Sequence, residues 1–148
     1  MTFEPMKNKQ ETPKVGVGVL VFNSKGELLL MKRQGSHGEG EWSLPGGHFD
    51  IGETLLECCA RELKEETNLD ILSIKKFTFA NNIMEDEGLH YVTLFVTATS
   101  WKGKVENMEP EKCSKLGWFN PHDLPEPLFG ALRTVMIEFA EASNDRWL

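Results

Sequence analysis

A chain of 148 residues with 40% hydrophobic content has the size of one domain and enough apolar residues for one core. No run approaches the ~18 apolar residues of a membrane span, and the N-terminal MTFEPMKNKQETPK lacks the apolar stretch of a signal peptide, so a cytoplasmic protein that enters no membrane is expected. A formal net charge of -7 argues against a general nucleic-acid surface, and a phosphorylated ligand would need positive charge supplied locally, most economically by a divalent metal held on carboxylates.

Residues 1–13 read as a polar arm and residues 14–148 as the single domain. Val15 to Phe22 is β-branched and apolar, NSKGE supplies turn residues, and Leu28 to Arg33 is a second apolar run, so the two are expected to form a hairpin or strand pair. Gly16 and Gly18 lie inside the first strand without a following helix start, which favours close backbone packing over a nucleotide loop. Gln34 to Glu53, with six glycines and a Pro-Gly-Gly step, reads as one long shaped loop.

A helix is expected from about Thr54 to Thr67. Leu56, Cys59, Ala60 and Leu63 make its core stripe, Glu62, Glu65 and Glu66 the neighbouring arc, and Glu57, Arg61 and Lys64 the far side. Asn68 stands where a left-handed residue ends a helix. Two long strands follow, LDILSIKKFTFANNIM and LHYVTLFVTATS, joined by the acidic EDEG and expected to pair antiparallel. After the polar stretch WKGKVENMEPEKCSKLG, WFN is a short strand, and Leu128, Leu132, Val135, Met136 and Phe139 mark a last amphipathic helix behind Pro125 and Pro127. The order gives a mixed sheet with helices on its two faces, an α/β or α+β arrangement.

Glu62, Glu65 and Glu66 stand at i, i+3 and i+4, where like charges repel by a few tenths of a kcal/mol per pair unless water or a cation absorbs the cost. From Gly47 the chain runs through five residues to Glu53, seven more, then Arg61-Glu62-Leu63-Lys64-Glu65-Glu66-Thr67-Asn68-Leu69. This resembles the Nudix box, the signature of hydrolases that cut nucleoside diphosphates linked to another group; Asn68 stands where the family usually has Gly. LLLMKRQGSHGEGEWSLPGGH, HYVT, NMEPEKC and the PLF and ALR steps near residue 130 extend the likeness to a subgroup that cleaves nucleoside triphosphates.

The resemblance implies an α/β/α sandwich and a Mg²⁺ site, with Mn²⁺ able to substitute. Its metal ligands would be Glu62, Glu65, Glu66 and the backbone carbonyl of Gly46, with Glu111 a candidate from outside the box and Glu109 two residues away. Arg61 would pair with Glu53 to fix the loop against the helix, and Glu62 or Glu65 would take the proton of the attacking water. Arg33, Gly47, His48 and Thr93 would meet the substrate, and Phe129 and Leu132 would stack and frame its base.

His37, His90 and His122 show no ligand spacing and read as surface or capping residues; Trp42, Trp101, Trp118 and Trp147 read as packing residues. Cys58, Cys59 and Cys113 fit neither a disulfide framework nor a metal knuckle, and residues 85 to 87 read as a solvated turn. The expected activity is hydrolysis of a nucleoside triphosphate, modified or deoxy forms included, to the monophosphate and pyrophosphate. ADP-ribose and other nucleoside or isoprenoid diphosphate derivatives are the alternative substrates, because the box grips only the diphosphate. A non-catalytic nucleotide-binding module is the reading from another class; such modules typically lose box glutamates that stand here. The expected partner is a small nucleotide, with a homodimer open to the chain.

Overall fold

The computed structural model describes residues 12–142, and the side chains of α2 as far as residue 137. Residues 1–11 of the expected arm, the side chain of Phe139 and Trp147 lie outside the described residues. The elements run β1 (Lys14–Leu20), β2 (Leu28–Arg33), β3 (Trp42–Ser43), β4 (Gly46–His48), α1 (Leu55–Thr67), β5 (Asp70–Met84), a 3₁₀ turn (Glu85–Glu87), β6 (Leu89–Lys102), β7 (Cys113–Phe119) and α2 (Gly130–Ala142).

Two sheets form, one ordered β4-β1-β6-β5 and the other β3-β2-β7. The first is mixed: β1 is parallel to β6 and antiparallel to β4, and β5 and β6 pair antiparallel along the full register from Asp70↔Lys102 to Met84↔Leu89. The central strands are apolar at successive positions because both their faces are covered. Val17, Val19, Val21 and Leu29 point into a core with Cys58, Cys59 and Leu63 of α1, whereas Leu20, Leu28 and Leu30 point into a second core with Ala131, Leu132 and Val135 of α2. The helices thus lie on opposite sides of the strand layer, as the order of elements suggested.

Five local expectations need correction. The first two strands meet only at the turn, where Phe22 bridges Leu28 and the Leu29 amide donates to the Val21 carbonyl at 3.0 Å; each strand then finds its neighbours in a different sheet. The long loop contains β3 and β4, too short to register as periodic runs, and β7 begins at Cys113 rather than Trp118. Leu128 precedes α2 and bridges Trp42. Leu56 is exposed and Cys58 fully buried, so the core stripe of α1 is rotated from the expected one.

The ends of α1 follow its sequence. Thr54 accepts from the Glu57 amide at 3.1 Å while the Glu57 carboxylate accepts from the Thr54 amide at 3.1 Å, a reciprocal capping box. Asn68 closes the helix at φ 65°, the left-handed conformation its short polar side chain tolerates. Trp101 stacks on Trp118 and Trp42 meets Phe119 edge-on at 4.9 Å, the packing roles expected of them. All three cysteines are buried and free; burial pushes the Cys58 and Cys59 thiols up to about 12, which keeps them protonated.

Candidate active site

The carboxylate end is organised by Arg61. Its guanidinium grips Glu53 through Nε to Oε2 at 2.7 Å and Nη2 to Oε1 at 2.9 Å, while Nη1 reaches Glu62 at 2.8 Å and Glu65 at 3.5 Å. Nη2 also donates to the His48 carbonyl at 3.1 Å and lies 3.3 Å from Asp50. Arg61 therefore belongs to the carboxylate arc, not to the far face of the helix where its phase alone would put it. The Arg61 hydrogen bonds and a backbone bond from Asp50 hold the Glu53 carboxyl down to about 2.

Glu66 is the most enclosed member of the trio. It accepts from the Gly46 amide at 2.8 Å, yet burial pushes its carboxyl up to about 8, and Glu62 and Glu109 push it further in the same direction. Burial likewise raises Glu62, against the pull of Arg61. Glu65 stands outermost, with half of its side chain exposed. Gly47 is the reason the loop comes this close: a Cβ there would collide with the Glu62 carboxylate.

Glu109, not Glu111, is the loop carboxylate that acts on this cluster. The loop docks through the Met108 amide, which donates to the Glu66 carbonyl at 3.1 Å, and the field of the next residue reaches both Glu62 and Glu66. Glu111 is exposed. Two candidates separated by one proline could not be told apart without knowing how the loop docks. Among the described residues no group of three or more His, Cys, Asp or Glu side chains stands close enough to hold a metal ion as placed. The surplus of oxygen donors over cations, with Glu62 and Glu66 both destabilised in their charged form by burial, nevertheless suits a hard divalent cation.

Next to Gly46 and Gly47, which abut Glu66 and Glu62, a cavity of about 160 Å³ lies between β1, β4, β6 and the start of α2, and no carboxylate is among its described lining residues. Gly46, Gly47, His48, Arg33, Thr93, Phe129 and Leu132 all line it, so the seven residues named from sequence for metal carbonyl and substrate contact face one space. The side chains of Tyr91, Thr93 and Phe95 alternate toward it along β6. Gly16 and Gly18 line it as bare backbone: a Cβ on Gly16 would press on the Gly47 carbonyl at 3.1 Å, and one on Gly18 on the Phe95 ring at 3.0 Å, the close packing expected of them.

The far end is aromatic. The Arg33 guanidinium lies 4.1 Å over the Phe129 ring, with Nε donating to the His37 carbonyl at 3.0 Å and Nη2 to Ser36 Oγ at 3.3 Å. Burial lowers the Arg33 pKa, opposed by Glu66 and Glu41. Trp42 clamps the segment before α2: its amide donates to the Pro127 carbonyl and its carbonyl accepts from the Phe129 amide, both at 2.8 Å. At Gly38, φ 72° and a Phe129 ring 2.7 Å from any Cβ admit no side chain.

Sequence reasoning missed His37, Tyr91 and Asn82, which also line the cavity. His37 is half-buried against Tyr91, at 6.4 Å between stacked rings, and Phe129, at 5.7 Å. It is a wall of the cavity, not a surface histidine. Metal-ligand spacing was the wrong test for it; its place in the glycine run beside Arg33 was the available signal. His122 is exposed and its amide is bonded to Asn120, while His90 Nε2 lies 2.6 Å from Asn81 Oδ1. Residues 85 to 87 are exposed, and Glu87 acts electrostatically on His37, so this turn lies at the rim of the cavity.

Known proteins share this fold. The crystal structure of a MutT NUDIX hydrolase from Burkholderia pseudomallei superimposes with a TM-score of 0.81 at 32% identity, covering 86% of this chain and 98% of that one. The NAD-capped RNA hydrolase NudC of Vibrio atlanticus is 32% identical over 85% of this chain and 45% of its own length. The 8-oxo-dGDP phosphatase NUDT18 of Danio rerio is 29% identical over 61% of this chain and 26% of its own length. The chain thus spans less than half the length of these curated relatives. No helix among the described residues is long and apolar enough to cross a membrane. The NUDIX domain model matches residues 12–139, and with it the chain belongs to that family.

Proposed function

We propose that the chain hydrolyses a nucleoside triphosphate, modified and deoxy forms included, to the monophosphate and pyrophosphate. The observation that carries this reading is one cavity whose Gly46 and Gly47 wall abuts the Glu66 and Glu62 carboxylates and whose far end is an arginine-faced phenyl ring, the length between them lined by backbone glycine and neutral polar groups. Glu62, Glu65, Glu66 and the Gly46 carbonyl would hold Mg²⁺, or Mn²⁺ in its place, with Glu109 taking the outside position that sequence gave to Glu111. A divalent ion supplies charge neutralisation at phosphoryl oxygens and an acidified water.

The chain's own residues do the rest. Arg61 anchors Glu53 and the His48 carbonyl, so loop and helix keep one spacing. Gly46 and Gly47 let a diphosphate approach the helix. The water oxygen bonds to the α-phosphorus as the bond from that phosphorus to the bridging oxygen breaks and pyrophosphate leaves. The water proton goes to Glu65, whose carboxylate is half-exposed and only loosely held by Arg61 at 3.5 Å, whereas Glu62 already accepts at 2.8 Å. Phe129 stacks on the base and Leu132 frames it, while Arg33, His48 and Thr93 line the path between.

A second reading follows from the relatives, whose names carry 8-oxo-dGDP and NAD-capped RNA: the cavity would take a nucleoside diphosphate derivative, ADP-ribose included. A panel of substrates with Mg²⁺ in ¹⁸O-water separates the two. Attack at the α-phosphorus expects label in the monophosphate and none in pyrophosphate or orthophosphate; labelled pyrophosphate would move the attack to the β-phosphorus, and labelled orthophosphate as first product from a triphosphate would refute the triphosphate reading.

A further inference from the structure

A nucleotide carries its negative charge along the cavity, yet among the described lining residues Arg33 is the only Lys or Arg. Its Nε and Nη2 are engaged on His37 and Ser36 and its face lies on Phe129. Arg33 is thus fixed at the aromatic end beside the loop and the ring, and the middle of the cavity offers neutral donors. The pair best placed for this is Tyr91 and His48, whose OH and Nε2 lie 3.0 Å apart.

Contacts fix where the pair sits. His48 directly follows Gly47, which abuts Glu62, and its carbonyl is held by Arg61. The Tyr91 ring lies 5.6 Å from that of His48 and 6.4 Å from that of His37, which in turn meets Phe129. The hydroxyl thus stands between the carboxylates and the aromatic wall. A phenol has one proton to give. With Nε2 carrying hydrogen, His48 donates to the phenol oxygen and the phenol proton is free for the ligand; with Nε2 bare, the phenol spends its proton on His48 and offers only lone pairs. An electron-rich ligand oxygen selects the first arrangement.

We propose that Tyr91 donates a hydrogen bond to an acceptor oxygen on the stretch of substrate between diphosphate and base, and that His48 is the positioning residue that frees its proton. This rests on the nucleotide reading above. The acceptor is either a phosphate oxygen or the sugar 3′ oxygen. The test measures KM and kcat of the full chain with Mg²⁺ on 2′-deoxynucleoside triphosphates and their 2′,3′-dideoxy counterparts, with melting temperatures alongside. Tyr91→Phe is expected to raise KM roughly ten- to a hundredfold with kcat little changed and an unaltered melting temperature. His48→Leu should match it, His48→Gln, which keeps an amide donor, should restore most of the loss, and the Tyr91→Phe/His48→Leu double variant should be no worse than either single. A penalty that persists on the dideoxy substrate assigns the acceptor to phosphate, and one that disappears assigns it to the sugar. An unchanged KM in Tyr91→Phe, beside an active wild type, overturns the assignment while leaving the nucleotide reading in place. Additive penalties overturn the role of His48, and a wild type that releases no pyrophosphate overturns both readings.

Discussion

The carboxylate end and the aromatic end of the site are built in different ways. The carboxylate end comes almost entirely from one continuous stretch, β4, the following loop and α1, whose internal spacing is fixed by helix geometry and by the Arg61 to Glu53 grip. The aromatic end gathers Arg33 from β2, His37 from the glycine loop, Tyr91 from β6 and Phe129 from the segment before α2. A local end can be held rigid by a few short-range bonds, whereas a composite end depends on four segments staying in register. The difference predicts that substitutions at the first act on the chemical step and those at the second on selectivity.

The largest effect is expected at Glu65. Glu65→Gln removes a half-exposed carboxylate, so stability should change by less than ~0.5 kcal/mol, while turnover should fall by ~10²-fold or more if the residue accepts the water proton. Near-normal turnover at saturating Mg²⁺ would sink that role and weaken the contrast between the ends.

Next comes Phe129. Its ring is half-buried and packs on the α2 core, so Phe129→Ala tests whether the aromatic end binds or merely packs. A stacking role expects a loss of ~1–3 kcal/mol in nucleotide affinity with pyrophosphate binding intact. Unchanged affinity beside a lower melting temperature would remove Phe129 from the site and reopen an isoprenoid diphosphate as substrate.

The contrast also explains what was legible in the sequence. Arg61, Glu62, Glu65 and Glu66 share one helix, so their spacing becomes their geometry directly, and Thr54, Glu57 and Asn68 mark its ends by local chemistry. Tyr91 was illegible because its value depends on β6 lying beside β1 with Gly16 opposite both His48 and Thr93, a long-range register no local pattern encodes. Glu109 and Glu111 could not be told apart for the same reason: the docking of their loop is set by backbone bonds from Glu106 and Met108 to the end of α1. The strands β3 and β4 were too short for any period.

A smaller, pH-dependent effect belongs to the Arg61 grip. Glu53 is held down to about 2 in the folded chain against an ordinary value near ~4.3, so its ionised form favours the fold. The stabilisation is fully present above the ordinary value and is lost as pH falls through about 2. Wild type should therefore exceed Glu53→Gln in melting temperature at neutral pH, the gap closing on acidification below about pH 4. A gap independent of pH would mean that Glu53 fixes the loop by shape and not by charge.

The smallest effect is expected where periodicity misjudged the helix. Phase alone put Leu56 in the core stripe of α1, and a buried leucine truncated to alanine costs ~2–5 kcal/mol. In the fold Leu56 is 40% exposed, while Leu63 is fully enclosed with Cys58 and Cys59. The stripe turns because Thr54 fixes where the helix starts and Arg61 must face the carboxylates, so the adjacent cysteines, small enough to lie under the sheet, take the inner positions. Leu56→Ala should therefore shift stability by less than ~0.5 kcal/mol, as a surface change does, with Leu63→Ala in the range of a core cavity. Chemical denaturation of both variants decides it. A large loss at Leu56 would show that α1 is seated in another rotation, which would move Glu62 and Glu66 away from Gly47 and Gly46.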